Sequence, residues 1–107
     1  MKKVLFLIAV ATSLLSCSKE VSCYIDVVNN TNKTYFYTLA SQNIRTIDGG
    51  YIHKNEIKSA HTYLTKEDKN LTVVYADTLT GKMYRCVEIY TFEDCKNLDY
   101  LEFNIVN

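Results

Sequence analysis

The chain has 107 residues, with 12 basic and 12 acidic side chains and no net charge at neutral pH. No basic stripe runs along the sequence, so nucleic-acid binding is not predicted. The length suits one domain with a core large enough to fold alone.

The first segment has the layout of a secretory signal. Lys2 and Lys3 precede an apolar run over residues 4–15, which ends at Ser16 directly before Cys17. A membrane-spanning helix needs about 20 apolar residues, whereas the apolar region of a signal peptide has roughly 7–15. The segment is therefore predicted to be a cleaved signal rather than a membrane span.

The residues Leu14-Leu15-Ser16-Cys17 resemble the lipobox of bacterial lipoproteins, and Ser18-Lys19-Glu20 is similar to the surface-export signals of lipoproteins in Bacteroidota. The resemblance implies that Cys17 receives the lipid and becomes the first mature residue. It also implies a lipid-anchored place in the cell envelope, at the outer membrane, with the periplasmic or surface side left open. We divide the chain into a signal peptide (1–16), a lipidated tether (17–22) and a β-sandwich domain (23–107).

Apart from the lipidated cysteine, the chain contains Cys23, Cys86 and Cys95. An exported protein lies where disulfides persist, so one bridge is expected. We favour Cys86–Cys95, because the loop that it closes is short. A straight strand over residues 83–92 would hold these two apart, so the pair needs a bend or an early strand end near residues 88–90. Without that bend, Cys23 bridges to one of the two.

Short runs of β-branched and aromatic residues alternate with turns rich in Asn and Asp. The predicted strands are 23–28, 34–39, 51–53, 60–64, 71–76, 83–92 and 100–106. Asp48-Gly49-Gly50 predicts a turn, and Thr65 with Asp68 predicts the cap of a single helical turn. No longer helix is predicted. The pattern is typical of an all-β protein, a small antiparallel β-sandwich of immunoglobulin-like or similar type, with a small β-barrel as the alternative.

The first two predicted strands flank an Asn-rich segment, residues 29–33. Asn bonds its own backbone and tolerates positive φ, so we predict a hairpin here. In the second strand, Tyr35 and Tyr37 alternate with Phe36. If Phe36 faces the core, the two tyrosines face solvent together. We therefore predict this pair as a ligand or partner surface, because tyrosine combines a rigid ring with an adaptable hydroxyl.

The two histidines, His53 and His61, stand in no motif that places a nucleophile beside a base, so an enzyme is not predicted. They show no ligand spacing with any cysteine, so neither a metal nor another cofactor is predicted.

The leading interpretation is a non-enzymatic envelope lipoprotein, acting as a binding or structural module for an unknown protein or glycan partner. Membrane attachment would depend on the lipid. Two alternatives stay open: an immunity or inhibitor lipoprotein directed against an exported toxin or hydrolase, and a glycan-binding accessory protein. Because Lys2 and Lys3 leave with the signal, the mature chain is acidic by two charges, which permits the inhibitor.

Overall fold

The computed structural model describes residues 20–42 and 45–106. Its strands are β1 (Val21–Asn29), β2 (Tyr35–Ser41), β3 (Thr46–Ile52), β4 (Ile57–Leu64), β5 (Asn70–Asp77), β6 (Met83–Arg85), β7 (Tyr90–Thr91) and β8 (Leu101–Ile105). A 3-10 turn covers Lys66–Asp68, and a short helix, α1, covers Phe92–Asn97. The predicted signal (1–16) and the predicted lipidation residue Cys17 lie outside the described residues. β1 begins at Val21, inside the segment predicted as tether (17–22).

The strands form two sheets. One has the order β4-β1-β8, and the other has the order β3-β2-β5-β6, with β7 also paired to β5. Buried side chains from both sheets form one core cluster. The prediction of a small all-β sandwich is therefore confirmed, in preference to the barrel alternative. One neighbouring pair, β1 with β8, is parallel, whereas an antiparallel arrangement was predicted.

The core forms because four strands place alternate side chains inward, as the two-residue period of a strand dictates. These strands are β1, β2, β5 and β8. Their buried hydrophobic side chains are Cys23, Ile25, Val27, Tyr35, Tyr37, Leu39, Leu71, Val73, Tyr75, Leu101, Phe103 and Ile105. Full burial of one large apolar side chain stabilises a fold by roughly 1.5–3 kcal/mol, so this cluster dominates the stability.

The predicted hairpin between the first two strands is wrong. β1 pairs with β4 and β8, whereas β2 pairs with β3 and β5. The Asn-rich segment 29–33 therefore carries the chain from one sheet to the other. A turn-forming composition marks where the chain changes direction, but it does not specify which strand becomes the partner.

Asn29 holds this crossing together with a fully buried side chain. Its Nδ2 donates to the carbonyl oxygens of Lys33 at 2.8 Å, Ile52 at 3.1 Å and His53 at 3.1 Å. Its Oδ1 accepts hydrogen bonds from the backbone N–H and the hydroxyl of Thr31, at 3.0 and 2.7 Å. One amide thus joins the end of β1 to the end of β3, in place of a β-ladder.

β3 is longer than predicted, because Asp48-Gly49-Gly50 lies within the strand and does not form a turn. Gly49 is the register partner of Thr38. A Cβ atom at Gly49 would lie 2.9 Å from the carbonyl oxygen of Tyr37. This close backbone approach explains why a glycine occupies the strand.

The segment 83–92, predicted as one strand, is divided into β6 and β7. Between them the backbone N–H of Cys86 donates to the carbonyl oxygen of Val73 at 2.9 Å. Thr91 then caps α1: its Oγ1 accepts from the N–H of Asp94 at 3.1 Å, and Asp94 Oδ2 accepts from the N–H of Thr91 at 2.8 Å. This reciprocal capping box begins a helix that was not predicted.

Side chains, rather than another strand, cover the outer edge of β8. The Tyr90 hydroxyl donates to the carbonyl oxygen of Glu102 at 2.8 Å, and the Tyr75 hydroxyl donates to the carbonyl just beyond the strand at 3.1 Å. The Glu88 carboxylate accepts from the N–H of Asn104 at 3.2 Å. These bonds occupy backbone groups that an open edge would offer to another chain.

Candidate functional site

The predicted contact pair, Tyr35 and Tyr37, is buried. Their relative exposures are 3% and 2%, while that of Phe36 between them is 45%. The Tyr37 hydroxyl donates to Asp48 Oδ2 at 3.1 Å, and the Tyr35 ring meets the ring of Tyr75 edge-on. Burial and then the Asp48 charge raise the pKa of Tyr37, so it remains a neutral donor. The prediction that these tyrosines face solvent is therefore wrong, because β2 turns its other face outward.

A different aromatic surface is exposed on the outer face of the first sheet. Tyr24 of β1 lies beside His61 of β4, and Asp26 of β1 lies beside Glu102 of β8. Tyr63 follows His61 on the same side of β4. Tyr24 and Tyr63 are 58% and 57% exposed. We call Tyr24, Asp26, His61, Tyr63 and Glu102 the acidic aromatic face.

The three rings of the acidic aromatic face contact one another in a row. The Tyr24 and His61 rings stack with centroids 4.3 Å apart and planes 18° apart. His61 and Tyr63 meet at 5.1 Å and 64°. Because Tyr24 and His61 each cover one face of the other ring, the row is a pre-ordered ridge rather than an open flat platform.

The carboxylates of this face lack a basic partner within the part of the chain that the structure describes. Asp26 Oδ1 accepts from the Ser59 hydroxyl at 2.7 Å, and Glu102 Oε2 accepts from Asn104 Nδ2 at 3.3 Å. The ion pairs seen among the described residues, which include Lys33–Asp77, Arg45–Asp68 and Lys58–Glu56, involve neither of these two carboxylates. The nearby Glu88 carboxylate, which also bonds Asn104, adds a third negative group. The surface is therefore acidic as well as aromatic.

Ser22 lies next to the aromatic row, with its Oγ 2.6 Å from His61 Nε2. A hydroxyl beside an imidazole is the first part of a nucleophile–base pair. Within residues 20–42 and 45–106, however, no carboxylate bonds His61 to orient it. Both side chains also lie on the regular antiparallel pair of β1 and β4, where the Tyr24 ring stacks on His61. We therefore read this hydrogen bond as one that fixes the imidazole against Tyr24.

The other histidine, His53, is exposed, and its Nδ1 lies 3.3 Å from the Thr34 hydroxyl oxygen. Among the described residues, no three His, Cys, Asp or Glu side chains are grouped so that they could hold a metal ion. The described helices are all too short or too polar to cross a membrane.

A shallow depression of about 430 Å³ adjoins the Tyr63 end of the acidic aromatic face. Arg45 Nε donates to Asp68 Oδ1 at 3.1 Å, and Arg45 Nη2 donates to the carbonyl oxygen of Tyr63 at 3.0 Å. Burial opposes the charge of Asp68, but hydrogen bonds from Arg45 and Thr65 outweigh it and lower the pKa of Asp68. The guanidinium is thus already engaged. The predicted turn from Thr65 to Asp68 is confirmed as the 3-10 turn.

The cysteines differ from the predicted arrangement. Cys23, Cys86 and Cys95 are buried free thiols, so the favoured Cys86–Cys95 bridge is not formed. The required bend is present, but Cys95 lies on the buried side of α1, which packs against β1, and the neighbouring Cys23 raises the pKa of the Cys95 thiol. Burial and then the Glu88 charge raise the pKa of Cys86 to about 12.

Comparison with protein families, with curated proteins and with solved structures gave no match to this chain.

Proposed function

We infer that this protein is a non-enzymatic lipoprotein of the cell envelope that binds a basic protein partner through the acidic aromatic face. The observation that carries this proposal is the exposed row of Tyr24, His61 and Tyr63 beside carboxylates without basic partners. The envelope address and the lipid on Cys17 are supported by the signal pattern of the sequence and by its resemblance to a lipobox. Anchoring would leave the face free to meet partners at the membrane, which we take to be the outer membrane.

A protein partner fits this surface better than a glycan does. Tyrosine is enriched at protein interfaces because it contributes a large contact area at a low cost in conformational entropy. The stacked pair of Tyr24 and His61 is already ordered before binding, which lowers that cost further. A sugar ring stacks best on one broad flat aromatic surface, whereas the neighbouring rings of this row are tilted against each other by 18° and then 64°.

Charge favours a basic surface on the partner. Asp26, Glu102 and Glu88 lie on or beside the aromatic row, and none of them belongs to an ion pair of the described residues. Complementary charge accelerates association and excludes acidic competitors. In a special case of this proposal, binding inhibits the partner. The protein would then be an immunity or inhibitor lipoprotein directed against a basic exported toxin or hydrolase.

Site-specific photo-crosslinking of the tagged full chain in its native host tests the binding face. A benzoylphenylalanine crosslinker replaces Tyr24 in one strain and Tyr51 in another. Tyr51 is the matched control, because it is 59% exposed but belongs to the second sheet. We expect one discrete protein adduct from position 24 and none of the same mass from position 51.

Charge dependence is the second readout of this experiment. We expect Asp26→Asn with Glu102→Gln to reduce the adduct from position 24 by about tenfold, because the electrostatic attraction is removed. Equal yields of the same adduct from positions 24 and 51 would reject the acidic aromatic face as the binding surface. So would a yield from position 24 that the two charge substitutions leave unchanged.

A further inference from the structure

The one close contact between thiols in the described residues joins the first strand to the helix. Cys23 lies on the core side of β1, and Cys95 lies on the buried side of α1. The helix packs against β1. The two thiols lie near enough to perturb each other: Cys95 lowers the pKa of Cys23, and Cys23 raises the pKa of Cys95.

The local structure explains why these two sulfurs meet. The Thr91–Asp94 capping box starts α1 immediately after β7, and the N–H of Phe92 donates to the carbonyl oxygen of Lys69 at 3.1 Å. Phe92 and Cys95 then share the buried side of the helix, as residues three apart do. The side chain of Cys95 therefore lies on the side of α1 that faces the core, where Cys23 of β1 is also buried.

Cys86 is separated from this pair. Its backbone is held to Val73, and the charges that act on its thiol come from Glu88 and not from another cysteine. The third thiol therefore has a buried position of its own among apolar side chains. This leaves Cys23 and Cys95 as the pair that the packing of α1 against β1 brings together.

We propose that Cys23 and Cys95 form a disulfide that ties α1 to β1, while Cys86 stays a buried thiol. The proposal uses the exported address from the proposed function, since disulfides persist outside the cytoplasm. The disulfide does not depend on the acidic aromatic face. A supplied oxidant can form it in vitro, so the test does not require that the protein be exported.

The reaction is a pair of thiol–disulfide exchanges with an oxidant disulfide, such as oxidised glutathione or the active-site disulfide of an envelope oxidase. The Cys23 thiolate attacks one sulfur of the oxidant, forms a mixed disulfide and releases the other sulfur as a thiolate. The Cys95 thiolate then attacks the Cys23 sulfur, forms the Cys23–Cys95 bond and releases the second thiolate. The two protons of the cysteines pass to the two released thiolates, so the oxidant gains two electrons and the protein loses two.

Access to the oxidant requires that α1 lift from β1, because both thiols are nearly inaccessible in the folded protein. The helix has 6 residues, too few to be stable without its packing. The exchange therefore takes place during folding or during local opening. Once closed, the bond restricts the unfolded chain over a long loop, which stabilises the fold.

Peptide mapping of the full chain, refolded with reduced and oxidised glutathione, tests the pairing. Free thiols are alkylated first, and the protein is digested without reduction. Trypsin alone leaves Cys86 and Cys95 on one peptide, so a glutamate-specific protease is added to cut after Glu88 and Glu93. We expect the Cys23 peptide to be linked to the Cys95 peptide, with Cys86 alkylated.

Variants and melting separate this bond from other pairings. Cys86→Ser should keep the link, and reduction should lower its Tm by about 10 °C or more. Cys23→Ser should show no intramolecular link and no change of Tm on reduction. A link that contains Cys86, or alkylation of both Cys23 and Cys95 after refolding, would overturn the proposal, whatever the crosslinking of the acidic aromatic face shows.

Discussion

Asn29→Ala is expected to lower the free energy of unfolding by about 3–5 kcal/mol. The substitution removes the donor shared by the carbonyl oxygens of Lys33, Ile52 and His53. It also removes the acceptor for the N–H and the hydroxyl of Thr31. A buried polar group without a partner loses its hydrogen bonds to water and has no protein hydrogen bond to replace them. Urea unfolding of the variant and the wild type measures the difference.

Two further substitutions make this experiment specific. Asn30→Ala is the matched control, because Asn30 is exposed and its side-chain amide donates to Asn104 at the surface, so the expected loss is about 1 kcal/mol or less. Asn29→Asp keeps the shape but places a carboxylate against three carbonyl oxygens, so it should cost at least as much as alanine. Equal, small losses for Asn29→Ala and Asn30→Ala would show that the crossing between sheets does not depend on this side chain.

Tyr37→Ala is expected to destabilise the fold by about 3–5 kcal/mol, the usual range for truncation of a buried aromatic side chain. The ring lies in the core with 2% relative exposure. Its removal leaves a cavity and takes the hydroxyl donor away from Asp48. Thermal or urea unfolding measures the loss.

Phe36→Ala is the control for Tyr37→Ala, because it truncates the neighbouring ring on the opposite face of the same strand. Phe36 is 45% exposed and touches Tyr51 edge-on, so we expect a loss of about 1 kcal/mol or less. The reverse order, with Phe36→Ala the more damaging, would mean that β2 presents its tyrosines to solvent as the sequence first indicated.

Alternation predicted most of the core, and its failure in β2 has a physical cause. In β1, the two-residue period of a strand places Cys23, Ile25 and Val27 on one face, and these residues are buried. In β2, the competing faces are Tyr35-Tyr37-Leu39 and Phe36-Thr38-Ala40. The first set has the larger side chains in total, so turning it inward buries more surface in the core. The prediction considered Phe36 alone and therefore assigned the inward and outward faces of β2 the wrong way round.

The candidate site could be predicted only in part. With Cys23 and Ile25 inward, Tyr24 and Asp26 must face outward, so two of the five residues of the acidic aromatic face follow from β1. Bringing the histidine and the second tyrosine beside them depends on the register that places His61 opposite Tyr24. That register joins distant parts of the chain, and no turn between adjacent strands specifies it.

The helix α1 was missed because its signal is short. Thr91 and Asp94 have the spacing of a capping box, which the prediction used at Thr65 and Asp68 but not here. The β-branched and aromatic residues before Thr91 favoured a continuous strand instead. This one cap places Cys95 on the buried side of α1, which packs against β1 near Cys23.

The claim on which the proposed function depends is that this β-sandwich works while anchored in the envelope by a lipid on Cys17. Mass spectrometry of the protein extracted from the outer membranes of its native host tests that claim most directly. We expect a chain that begins at Cys17, with a mass raised by acyl chains on that residue. An intact Met1, or an unmodified thiol at Cys17, would contradict the anchor and the address together.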